Sequence, residues 1–179
     1  MGLALGDGNL SNPNKRAVRL RISCDPKYPL LINEIKRVFS VVFPKNKIGI
    51  FRQKSCFEVS VYSNRLPTLL GWRWDQGPKN KQGVCIPQWI KAEPIFMRIC
   101  LRGLFQTDGS LYNDRGYTML NFTNTCAPLI NNVLEYLVLL GYRPNLQTLA
   151  PRGNARRKFT VRISRRTEEL IDEIGYWKA

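Results

Sequence analysis

The chain carries one short pattern twice, and this repetition constrains its fold more than any bulk property. Leu101-Arg102-Gly103-Leu104-Phe105-Gln106-Thr107-Asp108-Gly109 is a near copy of Gly2-Leu3-Ala4-Leu5-Gly6-Asp7-Gly8. Each copy reads as an apolar helical segment that ends in an aspartate and then a glycine, and the two aspartates lie 101 residues apart in a chain of 179. Repetition at that period predicts two similar halves. The glycine after each helix is expected to be a left-handed cap, which places Asp7 and Asp108 in the last turn. A carboxylate there meets the negative end of the helix and its free carbonyls, at a cost of a few tenths to about 1 kcal/mol. A hard divalent cation takes carboxylate and carbonyl oxygens and keeps room for water and phosphate. Paired acidic helix ends therefore predict a metal site.

The same positions let the two helices approach closely. Gly2 and Gly6 in one, and Gly103 and Thr107 in the other, are small residues one turn apart on one face, where little side-chain bulk separates the backbones. Both stretches resemble the signature of the LAGLIDADG homing endonucleases: the second matches at Leu101, Gly103, Leu104, Asp108 and Gly109, the first at Gly2, Leu3, Asp7 and Gly8. The resemblance extends over essentially the whole chain. Pro94 to Cys100 lead into the second motif, whereas Met1 directly precedes the first.

Charge is the strongest global quantity. With 28 basic and 13 acidic residues the net charge is +15, which points to a polyanionic partner, by default nucleic acid. Residues 1–92 carry 16 basic and 5 acidic residues, residues 93–179 carry 12 and 8, so the first half holds most of the excess. The absence of histidine excludes Ser-His-Asp triads, histidine-metal nucleases and Cys₂His₂ fingers. The five cysteines, Cys24, Cys56, Cys85, Cys100 and Cys126, are odd in number, lack C-x-x-C spacing and read as free thiols of an intracellular, reducing compartment. No apolar run reaches the length of a membrane span and no signal-peptide pattern is present, so no membrane association is expected.

Behind each motif the two halves run in parallel. Asn9 to Asn12, a turn at Pro13-Asn14 and the alternating Ala17 to Ser23 predict a hairpin, matched by Ser110 to Tyr112, a turn at Asn113 to Gly116, and Tyr117 to Thr123. Leu20 and Ile22 correspond to Leu120 and Phe122. The opposite faces, Ser11, Arg19, Arg21 and Ser23 against Asn121 and Thr123, offer groups that bond base edges and phosphates. Helical apolar spacing covers Pro29 to Val42 and Pro128 to Leu140. A second pair of strands is expected at Lys47–Gln53 and Cys56–Tyr62 in the first half, and at Asn145–Leu149 and Lys158–Ser164 in the second. Arg52, Lys54, Lys158, Thr160 and Arg162 join the polar face, and Arg152, Arg156 and Arg157 crowd the last hairpin loop. Closing helices are expected at Pro67–Trp72 and Thr167–Trp177, the latter with an acidic first turn at Glu168 and Glu169.

The resemblance implies an α+β, pseudo-two-fold duplicated αββαββα fold, with two four-stranded antiparallel sheets flanking two packed central helices and a division into residues 1–92 and 93–179. It implies metal-assisted hydrolysis of double-stranded DNA at a long, non-palindromic site by a monomer. Asp7 and Asp108, with the Gly6 and Thr107 carbonyls, are the expected ligands of Mg²⁺, for which Ca²⁺ or Mn²⁺ can substitute. In the segment Trp74 to Pro94, Lys79 is the expected basic residue beside the scissile phosphates, with Lys81 as the alternative, and it would stabilise charge on phosphorus or position water. Asn124 resembles a family position that holds a water-organising side chain, although its first-half counterpart is Cys24. Two other readings remain open: an RNA-binding maturase acting on its host intron RNA, and a regulator of the same fold that binds DNA without cutting it.

Overall fold

The computed structural model describes residues 1–151 and 157–177. Its order of elements is α1 (Gly2–Asp7), β1 (Gly8–Ser11), β2 (Arg19–Cys24), α2 (Pro29–Val42), β3 (Gly49–Arg52), β4 (Phe57–Tyr62) and α3 (Leu66–Leu70), followed by α5 (Pro94–Asp108), β5 (Gly109–Asp114), β6 (Tyr117–Asn124), α6 (Ala127–Leu139), β7 (Asn145–Leu149), β8 (Lys158–Ile163) and α7 (Thr167–Ile174). Between the two series lie a 3₁₀ turn, Lys79–Gln82, and the short helix α4, Gln88–Lys91. The fold is therefore α+β and duplicated. Its two antiparallel sheets have equivalent strand orders, β1-β2-β4-β3 and β5-β6-β8-β7.

Register follows from the period-two patterning, because a slip of one residue would turn the apolar set outward. Leu20 pairs with Val61 and Ile22 with Val59, while Leu120 pairs with Ile163 and Phe122 with Val161. All eight side chains are buried beneath the helices. Leu31, Ile35 and Phe39 of α2 and Ile130, Val133, Tyr136 and Leu137 of α6 complete the core at helical spacing. The β5–β6 hairpin closes on Arg115-Gly116, both at positive φ (54° and 88°), the conformation of the type I′ turn that suits strand twist.

The helices α1 and α5 meet along their small residues. A Cβ on Gly2 would run into the Cys100 carbonyl and come within 3.0 Å of the Gly103 Cα, and a Cβ on Gly103 would lie 2.6 Å from the Leu3 nitrogen. At Gly6 the same addition would strike the Thr107 hydroxyl. With only six residues, α1 could not persist alone in water; its burial against α5 keeps it helical.

The structure corrects the caps. Gly8 (φ −72°, ψ 139°) and Gly109 (φ −87°, ψ 153°) are extended, not left-handed. Glycine is needed there for closeness: a Cβ at either would collide with a carbonyl of the preceding helix, Ala4 or Phe105. The chain thus passes from helix into strand without a loop, and each first strand begins at the residue after its aspartate. Other differences are of length. Strand β3 spans Gly49–Arg52, α3 ends at Leu70 and α7 at Ile174, where Gly175 takes the left-handed conformation (φ 67°). Trp72 lies beyond α3, yet is buried. Arg152 and Arg156 lie outside the described residues.

Gly103→Leu is expected to push the two helices apart and cost more than the about 1–3 kcal/mol of ordinary overpacking, since the obstacle is backbone. Chemical denaturation of the variant beside a surface control such as Lys36→Leu measures that loss.

Candidate active site and nucleic-acid face

Asp7 and Asp108 are the last helical residues of α1 and α5, as the repeat predicts. The packing of the two helices brings these ends together. Asp108 Oδ2 lies 3.4 Å from where a Cβ on Gly6, the residue before Asp7, would sit. Asp7 is exposed and Asp108 half-buried, so the paired ends open to solvent on one side.

A third group closes the other side. Lys79, in the 3₁₀ turn between the two halves, donates to the carbonyls of Ala4 (3.2 Å), Leu5 (2.8 Å) and Gly6. These are terminal carbonyls of α1, which have few partners within so short a helix. The ammonium supplies the positive charge that an acidic helix C-terminus lacks. It also lies 5.7 Å from the Trp72 ring centroid, at cation–π distance. Burial draws Lys79 below its usual value of 10.5, opposed by the attraction of the Asp108 and Asp7 carboxylates and of Cys126. Lys81, two residues on, is exposed.

On the second half, Asn124 ends β6 in the inward alternation phase, opposite Phe159. Its Nδ2 donates to Asp108 Oδ2 at 2.7 Å, while its Oδ1 accepts from the Cys126 backbone N–H at 2.9 Å. The amide is held at both ends and fixes the carboxylate. The matching residue of the first half is Cys24, opposite Phe57, a buried thiol with no amide to offer. Lys79, Asn80 and Asn124 line a cavity of about 220 Å³ together with Gly6, Thr125 and Cys126. The Thr107 hydroxyl turns back to the Gly103 and Leu104 carbonyls (3.1 and 2.9 Å), serving the helix contact.

This donor set suits a hard cation. Mg²⁺ is commonly held by one or two carboxylates, with water and substrate phosphate completing its shell, and two carboxylates at adjoining helix ends meet that need. Among the described residues no group of three or more His, Cys, Asp or Glu side chains is placed to hold a metal ion, and of the two expected backbone ligands the Gly6 carbonyl accepts from Lys79.

The outward sheet faces carry the expected polar residues in register. Ser11, Arg19, Arg21 and Ser23 share one face with Asn9 and Glu58; Asn121, Thr123, Lys158, Thr160 and Arg162 share the other. Several are already engaged. Arg162 pairs with Asp114 at 2.8 Å, and the Thr123 and Thr160 hydroxyls meet at 2.9 Å, with Thr160 buried. Arg52 stands in the phase of Ile50 and Phe57, on the opposite side from Arg21, and lies over the Phe57 ring. Lys54 is exposed in the β3–β4 turn, and Arg157 is exposed beside the last hairpin. The Trp72 contact and the Asp114 pairing were missed from sequence, because both join residues whose proximity only the fold creates.

The comparisons with known proteins bear on this arrangement. No curated protein matches the chain in sequence. Residues 96–175 match the LAGLIDADG-like domain. The fold matches the homing endonuclease I-DmoI over 97% of this chain and 90% of that one, at a TM-score of 0.68 and 20% identity. The second half of the chain thus carries a LAGLIDADG-like domain, and the chain as a whole has the fold of I-DmoI. I-DmoI in complex with DNA and Mn is similar to this chain to the same degree, with 97% and 92% covered, a TM-score of 0.68 and 20% identity. The N-terminal LAGLIDADG domain of WhiA shares the fold more distantly, with a TM-score of 0.55 and 15% identity over 99% of this chain and 80% of that one.

The geometry separates the two candidate lysines. Lys79→Met should leave α1 carbonyls without their donor and lower stability by about 1–3 kcal/mol, while Lys81→Met should stay within about 0.5 kcal/mol of wild type. Urea unfolding of both variants checks the contrast.

Proposed function

We propose that this protein is a site-specific, divalent-metal-dependent DNA endonuclease that acts as a monomer. The observation carrying the proposal is the convergence of Asp7, Asp108 and the half-buried Lys79 ammonium where the two motif helices end and the first strand of each sheet begins. A duplex lying along the two polar sheet faces would pass these helix ends. Two-stranded ribbons fit the major groove, and the unlike residues of the two faces favour a site without a palindrome. Since both motif helices lie in one chain, their contact surface is satisfied internally.

Asp7 and Asp108 would hold Mg²⁺ or Mn²⁺, which when bound activates water and offsets the charge that grows on the phosphate. Asn124 keeps Asp108 in one orientation, so its carboxylate is set before substrate arrives. Lys79 draws the end of α1 into place and adds positive charge beside the reaction centre, where surrounding protein weakens solvent screening. No side-chain nucleophile is required. The excess of positive charge supplies sequence-independent attraction to the phosphate backbone.

Asp7→Asn and Asp108→Asn should each abolish double-strand cleavage in Mg²⁺ while largely retaining DNA binding. Each should leave the metal-free fold close to wild-type stability, because relief of the carboxylate at a helix C-terminus is opposed by loss of its attraction to the Lys79 ammonium. Nicking, gel-shift and thermal-melting measurements on duplex recovered from a random-site library test this. Full cutting by either variant would defeat the metal assignment, and wild-type binding without cutting would favour the non-cleaving alternative. Light scattering with and without that duplex should show one protein per site.

A further inference from the structure

Two arginines on one strand face are held in different ways. Arg19 and Arg21 stand two residues apart on β2, about 7 Å along the strand, which spans about two base-pair steps. Each donates its Nε to the β1 residue directly opposite: Arg19 to Ser11 Oγ at 3.2 Å, Arg21 to Asn9 Oδ1 at 3.3 Å. That shared tether fixes the guanidinium plane while leaving its outer end. The outer ends then diverge. Arg21 Nη1 crosses to β4 and pairs with Glu58 Oε1 at 3.0 Å, so the group lies along the sheet across three strands. Among the described residues no further polar partner engages the Nη groups of Arg19, whose cross-strand neighbour on β4 is Tyr62.

Guanine displays two acceptors, O6 and N7, on its major-groove edge, and a planar guanidinium offers two parallel donors at matching spacing. The fork must be pointed and its outer donors must be available. Arg19 meets both conditions through Ser11, whereas Arg21 is committed to Glu58. A carboxylate on a face turned toward phosphates is costly unless paired, and Arg21 supplies the pairing.

We infer that Arg19 is a guanine-reading, specificity-determining residue of the first sheet, pointed by Ser11, and that Arg21 is the brace of Glu58 on that face. This rests on the DNA-binding reading above. The test is selection from a random duplex library in Ca²⁺ with the full chain, followed by fluorescence anisotropy on single-base variants of the enriched site. Wild type should require guanine at one position within the first half-site. Arg19→Lys, which keeps the charge but not the fork, should reduce that preference by about 5- to 150-fold and leave the other positions unchanged. Ser11→Ala should reduce it in the same direction at the same position, and Arg21→Lys should weaken all enriched sequences alike. Full guanine preference in Arg19→Lys, or loss of one guanine position in Arg21→Lys instead, overturns this inference while leaving the DNA reading standing. Enrichment of no sequence by wild type overturns both.

Discussion

The backbone contact between α1 and α5 is the constraint on which the rest depends. Two helices can approach this closely only where neither carries bulk, and Gly2, Gly6 and Gly103 supply the space while Thr107 folds its hydroxyl onto its own helix. Close packing of the helices brings their C-termini together, and the C-termini are where the aspartates stand. Gly8 and Gly109 then let the chain leave each helix directly as a strand, so the same contact also determines where the two sheets begin. Charge, sheet placement and candidate chemistry all follow from one pair of helix ends.

That arrangement gathers unfavourable electrostatics at one point, and the structure answers it unevenly. On the α1 side the answer is a cation: Lys79 reaches in from the connecting segment and takes the terminal carbonyls. On the α5 side it is a neutral amide, Asn124, which holds the carboxylate from β6. The duplication is thus close in topology and loose in chemistry. Such asymmetry accords with the non-palindromic target proposed above, since neither the surroundings of the two aspartates nor the outward sheet faces repeat.

Much of this was legible in the sequence because it depends on periodicity. The strand pairs Leu20–Val61 and Leu120–Ile163 follow from alternation, and the helices α2 and α6 from apolar spacing at Ile35 and Phe39 or Val133 and Leu137. The Asp7 and Asp108 helix ends were legible because the motif occurs twice. What was not legible depends on details that a pattern does not encode. An Asp-Gly pair specifies that a helix stops, but not whether the glycine turns left-handed or enters a strand; here the immediate start of β1 and β5 decided for the extended form. Arg52 was placed by charge on the polar face, whereas the register opposite Phe57 gives it the other phase. The bracing of Arg21 by Glu58 joins residues 37 positions apart and is invisible to any local reading.

The most direct measurement is an anomalous-difference map from crystals of the wild-type chain with its selected duplex and Mn²⁺. The account predicts metal density in contact with carboxylate oxygens of both Asp7 and Asp108 and with the DNA phosphates, beside the Lys79 ammonium. Metal bound away from both aspartates, or a duplex lying elsewhere than across the two polar sheet faces, would contradict it.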